Sequence, residues 1–406
     1  MPNDRFRTPP GADMPAAARR ARAATTSHLR LVSDRDDAGR GLSDPDRVID
    51  LRHWSRQAMA YLHAERAQAP ETPLLPVPLP EFPGVQLLIK DESVHPSGSL
   101  KHRLAHALFV QGIASGAIGP DTLIVEASSG STAIAEAWYA KKLGLRALAV
   151  VSETIAPAKR RAIVEAGGDV MDARPGTDLA ATAAEVAVHM GGYHMDQFAR
   201  AADAPDWRGP HNIAARLALQ LDALGFDAPA WIVAGAGTGG TAATIGRYLR
   251  HAGALGTTRL CVVDPEGSAY FKAFASGDMG ATGTSTPHIE GIGRARVGPA
   301  FLPGVIDHMI AVSDEGSVAG TRWLGERIDR RFGPSTGTNV IGALILAQAM
   351  ARRGKRGHIV MLGCDGGDRY AETIWDRNWC KAAGLDCGGW HALLGKLGAA
   401  DFPAAY

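Results

Sequence analysis

The segment TLIVEASSGSTAIAEA (122–137) runs from an unbroken apolar stretch, through a loop of small hydroxyl residues and glycine, into a helix-patterned stretch. The order recurs at WIVAGAGTGGTAATIGRYL (231–249). The reverse step, from helix pattern to apolar run, precedes RALAVV (146–151), RLCVVDP (259–265) and HIVMLG (358–363). Continuous apolar runs mark strands buried on both faces. Alternation with helices marks parallel sheets covered on either side. The chain is thereby constrained to an α/β fold built of three-layer units with mainly parallel sheets.

The same periodicities predict helices over 46–66, from Leu100, and over 131–143, 157–167, 179–190, 213–223, 241–252 and 338–352. Further strands are predicted at 85–93 and 169–171, and the proline-rich stretch 67–84 reads as a linker laid over a surface. Residues 1–44 read as a disordered tail. Met1 to Arg40 holds eight arginines and five aspartates and has no apolar core, which fits neither a secretory signal nor an acid-poor transit peptide.

Bulk charge excludes some partners. A formal net charge of +1 gives no global field to recruit nucleic acid or an acidic membrane. The long uncharged run Ala228–Gly246 is too rich in Gly and Thr for a membrane span. Cysteines 261, 364, 380 and 387 form no CxxC pair, so free thiols in a reducing, cytoplasmic compartment are expected. His102 and His106 stand at i, i+4 but lack a third ligand or an HExxH glutamate, and no metal site is expected.

The chemistry concentrates in four places. In SVHPSGSLKHRLAHALF (93–109), Lys101 opens a helix, where a cation meets the positive end of the macrodipole. That placement is either an exposed lysine near a cap or a functional amine. In AGAGTGGT (234–241), Gly237, Gly239 and Gly240 allow close approach, while Thr238 and Thr241 add hydroxyl donors. The loop reads as a phosphate cup at a helix N-terminus, or as a plain tight turn. EASSGSTA (126–133) suits a carboxylate, or is a serine N-cap. GPSTGT (333–338) places Ser335 where its hydroxyl can meet a heteroaromatic nitrogen, or again caps a helix.

Taken together, these motifs resemble the fold-type II pyridoxal-phosphate enzymes, and among them the cysteine synthase group. The lysine motif is His95-Pro96-Ser97-Gly98-Ser99-Leu100-Lys101-His102-Arg103. The remaining motifs are Ser128-Ser129-Gly130-Ser131-Thr132-Ala133, GTGGT at 237–241 and Ser335 within G-x-S-x-G. The family's asparagine is replaced by Ser131, a shorter side chain. The stretches YHMDQF, DWRGPHNIA, VVDPEGS, IEGIGRARVGPAFLP and CDGGDRY, with the extended loop 293–303, are similar to the bacterial L-cysteine desulfhydrases within that group.

The resemblance implies the following. Lys101 is the Schiff-base lysine of pyridoxal 5'-phosphate. Ser131, Gly237, Thr238, Gly239, Gly240, Thr241 and Ser335 bind the cofactor. Ser128, Ser129, Gly130, Thr132 and Gln197 bind the substrate. A large cofactor domain (45–92 and 200–406) carries a small substrate domain (93–199), and the protein is a homodimer. The implied reaction is β-elimination of L-cysteine to hydrogen sulfide, pyruvate and ammonia. The alternative is β-replacement, as in cysteine synthase (O-acetylserine sulfhydrylase) or cystathionine β-synthase. Both use the same residues.

Overall fold

The structure, a computed structural model, describes residues 45–285 and 287–402. The expected disordered tail, 1–44, lies outside the described residues. The chain forms two compact units, one of residues up to Ala69 with Ala105–Asp196, the other of Pro70–Leu104 with Gln197 onward.

This division differs from the boundaries implied by the resemblance, for local reasons. The Pro45–Gln68 helix belongs with the smaller unit. There the carbonyl of Leu62 pairs with His106 Nε2 at 3.0 Å, and Glu65 accepts the Tyr139 hydroxyl at 2.9 Å. Residues 93–104 belong with the larger unit, where Ser99 bridges to Asp365 and the Leu100 N–H donates to the Cys364 carbonyl at 2.8 Å.

The larger unit holds a six-stranded sheet, in spatial order β1 (Leu74–Val77), β2 (Val85–Asp91), β10 (Gly357–Gly363), β7 (Trp231–Gly235), β8 (Arg259–Pro265) and β9 (His308–Val312). All neighbours are parallel except β1, which is antiparallel to β2. Strand β1 lies inside the stretch read as a linker. Pro76 is tolerated there because an edge strand can leave one N–H position unpaired. Alternate residues of the central strands fill two cores. Leu87, Ile89, Val233, Val263 and Met361 face one, and Leu88, Ile232, Val262 and Val360 face the other. Lys90, with no exposed surface, reaches Glu71 at 2.7 Å, the Thr72 carbonyl at 2.7 Å and Gln220 at 2.8 Å. A buried ammonium persists only with such partners.

The smaller unit holds a four-stranded parallel sheet ordered β5 (Asp169–Ala173), β4 (Arg146–Ser152), β3 (Leu123–Ala127) and β6 (Tyr193–His194). Leu123, Val125 and Ala127 pack with Ala183 and Ala187 of the Leu179–His189 helix. On the other face Ala149 and Val151 pack with Ala133, Ile134 and Ile163, from the Ser131–Lys142 and Pro157–Ala166 helices. No helix of the described residues is long and apolar enough to cross a membrane.

Periodicity does not reveal the Asp314–Ile328 helix, because glycines interrupt its pattern. Gly316 packs against Trp390, Gly325 against Trp375 and Gly320 against the carbonyl of Gly337. The Pro334–Arg352 helix begins four residues before the expected 338, with Pro334 in its first turn, where a fixed φ and a missing N–H cost nothing. A Cβ on Gly337 would overlap the Ser317 carbonyl and the Thr321 hydroxyl. Gly337→Ala is therefore expected to destabilise the fold by about 1–3 kcal/mol, read as a lowered urea midpoint with an unchanged slope.

Candidate active site

Three neighbouring strands of the larger unit, β2, β10 and β7, bring their carboxyl ends together, the usual ligand edge of a parallel sheet. After β2 the chain turns at Gly98, held at φ +74, and enters the Lys101–Ala114 helix. The Lys101 N–H donates to Ser99 Oγ at 3.3 Å. Beneath it lies a buried ion cluster. Glu92 accepts from Thr72 Oγ1 at 2.8 Å and from Arg103 Nε at 2.5 Å and Nη2 at 2.9 Å, and pairs with His95 Nε2 at 2.9 Å. Burial alone would raise the Glu92 pKa, but the Arg103 charge and the His95 bond hold it well below the usual carboxylate range. His95 stacks on His102, whose Nδ1 meets Ser97 Oγ at 3.1 Å. His102 and His106 thus have structural partners, in the larger and the smaller unit respectively.

After β7 comes the glycine loop. Gly239, at φ +92, is the N-cap of the Gly240–His251 helix, and no side chain caps it. The Gly240 N–H donates to Thr238 Oγ1 at 3.2 Å. The Gly237 carbonyl accepts from the Tyr270 hydroxyl at 3.1 Å, and that ring stacks on Phe301 at 4.3 Å. The glycines allow the close approach expected of them, here by protein backbone on the side where a Cβ would stand. A Cβ on Gly237 would overlap the Gly291 carbonyl, one on Gly239 would lie 2.7 Å from the Ala300 carbonyl, and one on Gly240 would overlap the Ala201 carbonyl. The same position on Gly237 is 3.7 Å from Lys101 Nζ, which brings the amine to the rim of the loop.

After β10, Cys364 joins the remaining pieces. Its carbonyl holds Leu100, and its N–H donates to Thr336 Oγ1 at 2.9 Å. Its thiol is pushed up to about 12 by burial and then by Asp365, against the opposing influence of Ser335 and Lys101. Cys364 is thus bonded to the residue before Lys101 and to the residue after Ser335. Ser335 is buried in the first turn of its helix, and the N-cap there is Gly333 with no side-chain cap. Asn339 donates to the Leu362 carbonyl at 2.7 Å, while its buried Oδ1 has no hydrogen-bond partner among the described residues. Tyr370 donates to Asp365 at 2.7 Å. Gln197 is buried directly after Asp196, a non-glycine residue at φ +47. Cys364, Asn339 and Tyr270 escape a reading based on motifs, because each acts through a contact distant in sequence.

In the smaller unit, the loop after β3 carries Ser128, Ser129, Gly130, Ser131 and Thr132. The helix N-cap is Gly130, again without a side-chain cap, so the serine-cap reading fails. Ser128 Oγ accepts from the Gly130 N–H at 3.3 Å, and the space a Gly130 Cβ would occupy is open.

The Glu92 cluster can be tested directly. Arg103→Leu leaves a buried carboxylate without its main partner, and a loss of about 3–5 kcal/mol is expected at neutral pH. A depressed folded-state pKa stabilises above the unfolded value and stops doing so as pH falls through the folded one. Denaturation curves should therefore show the gap between variant and parent closing in acid.

Residues 67–365 match the family described as pyridoxal-phosphate dependent enzyme. The chain is 45% identical to L-cysteine desulfhydrase Cds1 of Mycobacterium tuberculosis over 84% of its own length and 94% of that protein. It is 30% identical to a putative cysteine synthase of Sinorhizobium fredii, over 81% and 97% of the two chains. The fold also matches a crystal structure of a hydrogen sulfide-producing enzyme of Fusobacterium nucleatum, with TM-score 0.69 and 22% identity over 79% and 93% of the chains. The lysine beside a glycine loop, the buried serine and these matches identify the chain as a member of the pyridoxal-phosphate-dependent enzyme family.

Proposed function

We propose that the protein is an L-cysteine desulfhydrase, converting L-cysteine and water to hydrogen sulfide, pyruvate and ammonia. The observation that carries this reading is Lys101 Nζ at the rim of the uncapped 237–241 loop, in a chain so similar to a desulfhydrase. The residues present fit the cofactor. Backbone N–H groups of Gly239, Gly240 and Thr241 at a helix N-terminus suit its phosphate, with the Thr238 and Thr241 hydroxyls as further donors. The Ser335 hydroxyl suits its ring nitrogen, Ser131 its phenolic oxygen, and the Lys101 amine its aldehyde. When bound, pyridoxal 5'-phosphate supplies the electron sink that lets Cα lose a proton and Cβ lose a thiolate.

The protein supplies position and proton transfer. Lys101 acts as the base that removes the Cα proton. Ser128, Ser129, Gly130 and Thr132 hold the substrate carboxylate through hydroxyl and backbone donors, and so orient the Cα–H bond for cleavage. Gln197 adds a buried amide near the substrate. Ser335 is a weak acid, so it hydrogen-bonds the ring nitrogen without protonating it. A neutral ring is the weaker sink, which favours loss of the β-substituent over transamination. Four free, buried cysteines support a reducing compartment, which we take to be the cytoplasm, and the family resemblance supports a homodimer.

Purified holoenzyme given L-cysteine alone is expected to release sulfide and pyruvate in equal amounts. Formation of cysteine from O-acetylserine and sulfide, without that release, would instead make it a synthase. Lys101→Ala should lower sulfide release by at least about a hundredfold and abolish borohydride labelling of the peptide around position 101. Thr132→Val should mainly raise KM, by roughly tenfold, as expected for one lost hydrogen bond to a charged ligand.

A further inference from the structure

The smaller unit buries two carboxylic acids with no use in the chemistry above. Glu126 lies on β3, two residues before Ser128, and Glu136 lies one helical turn past Thr132. Each is only 2% exposed. Both line one cavity of about 10 Å³, otherwise walled by apolar groups that include Ala133, Leu148, Ala149 and Ile163. That volume is at the lower limit for a single water. Glu126 Oε1 accepts from the Ala127 N–H at 2.7 Å, at the root of the loop. Glu126 is the one group that acts on the Glu136 carboxyl, whose oxygens have no other hydrogen-bond partner among the described residues.

The charged groups on the packed elements are turned elsewhere. On β4, Arg146 pairs with Asp169 at the surface, and on the Pro157–Ala166 helix Arg160 pairs with Asp172. Arg161 and Glu165 on that helix are exposed, as are Lys141 and Lys142 on the Ser131–Lys142 helix. Among the described residues, neither these groups nor Lys159 acts on Glu136, and the charge that does is that of Glu126. Two ionised carboxylates cannot share such a site.

We propose that Glu136 is a positioning residue that keeps a proton at neutral pH and shares it with Glu126, tying the first turns of the helix to the root of the 128–132 loop. The pair then carries one negative charge instead of two behind the loop. Burial, and then the Glu126 charge and hydrogen bond, hold the Glu136 carboxyl well above its ordinary range, in agreement with the geometry. Loss of the proton adds a second negative charge, drives the two elements apart and weakens the hold on an anion. This last step rests on the reading of the loop as the substrate-carboxylate site.

A raised folded-state pKa gives stability that is complete below the unfolded value and is lost as pH rises through the folded one. Glu136→Gln keeps the shape and a donor for Glu126 but cannot ionise. Thermal midpoints of the wild-type and Glu136→Gln holoenzymes should coincide in acid and separate with rising pH, the variant being higher, and Glu126→Gln should shift in the same direction. L-Serine, followed through the absorbance of the bound cofactor, should bind the wild type roughly tenfold more weakly than Glu136→Gln at alkaline pH. Midpoints that run parallel across the range would overturn the shared proton. Midpoints that separate while binding stays equal would overturn its coupling to the loop. If Thr132→Val then also left L-serine binding unchanged, the fault would lie in the assignment of the loop itself.

Discussion

Strand β10 pairs with β2 on one side and β7 on the other, both in parallel. This pairing sets the geometry of the site in the larger unit. It aligns Gly363 with Asp91, so the chain leaving β10 meets the chain leaving β2. The Leu100–Cys364 hydrogen bond forms there and fixes where the lysine helix begins. A slip of one residue would turn Ile359 and Met361 out of one core and Val360 and Leu362 out of the other. The register is therefore held by two cores at once, and with it the point at which the lysine helix begins.

Helix ends in this protein differ in how they are capped. Several helices in this protein carry ordinary side-chain caps: Asp178, Asn212, Ser268, Ser313 and Asp376 each accept from a first-turn N–H. The helices opened by Gly130, Gly239 and Gly333 do not. A missing cap usually costs about 1 kcal/mol. Two other helices, starting after Ala156 and Cys387, also lack one, so absence alone is not diagnostic. What distinguishes the first three is company: an adjoining hydroxyl-rich loop in each case and, in the larger unit, Lys101 nearby. A helix N-terminus in such a setting carries the partial positive charge that suits an anion, which supports the binding roles proposed for these loops.

Most strands and helices were legible because apolar periodicity reports directly on which face is buried. Illegible elements had specific causes. Glycines at 316, 320 and 325 hide a fifteen-residue helix, since they answer to Trp390, Gly337 and Trp375 rather than to helical propensity. Pro76 hides an edge strand. The short helices Arg377–Ala382 and Gly388–Leu394 are stabilised by packing of Cys380, Cys387 and Leu394 on the larger core, not by a pattern of their own. The Pro45–Gln68 helix was visible as a helix, but its unit was not, because membership depends on its contacts with His106 and Tyr139.

The sequence by itself determined the α/β class, the three hydroxyl- and glycine-rich loops, the lysine at a helix start and, through the ordered set of motifs, the family. These are local or periodic properties, carried by residues close together in the chain. Only the tertiary structure decided that Cys364 bonds both Leu100, just before Lys101, and Thr336, just after Ser335, that backbone carbonyls dictate the glycines at 237, 239 and 240, and that Glu126 and Glu136 meet in one cavity. Each of these joins residues from different strands or loops. Burial and proximity across such distances follow from how the sheets pair and pack, which no short stretch of sequence encodes.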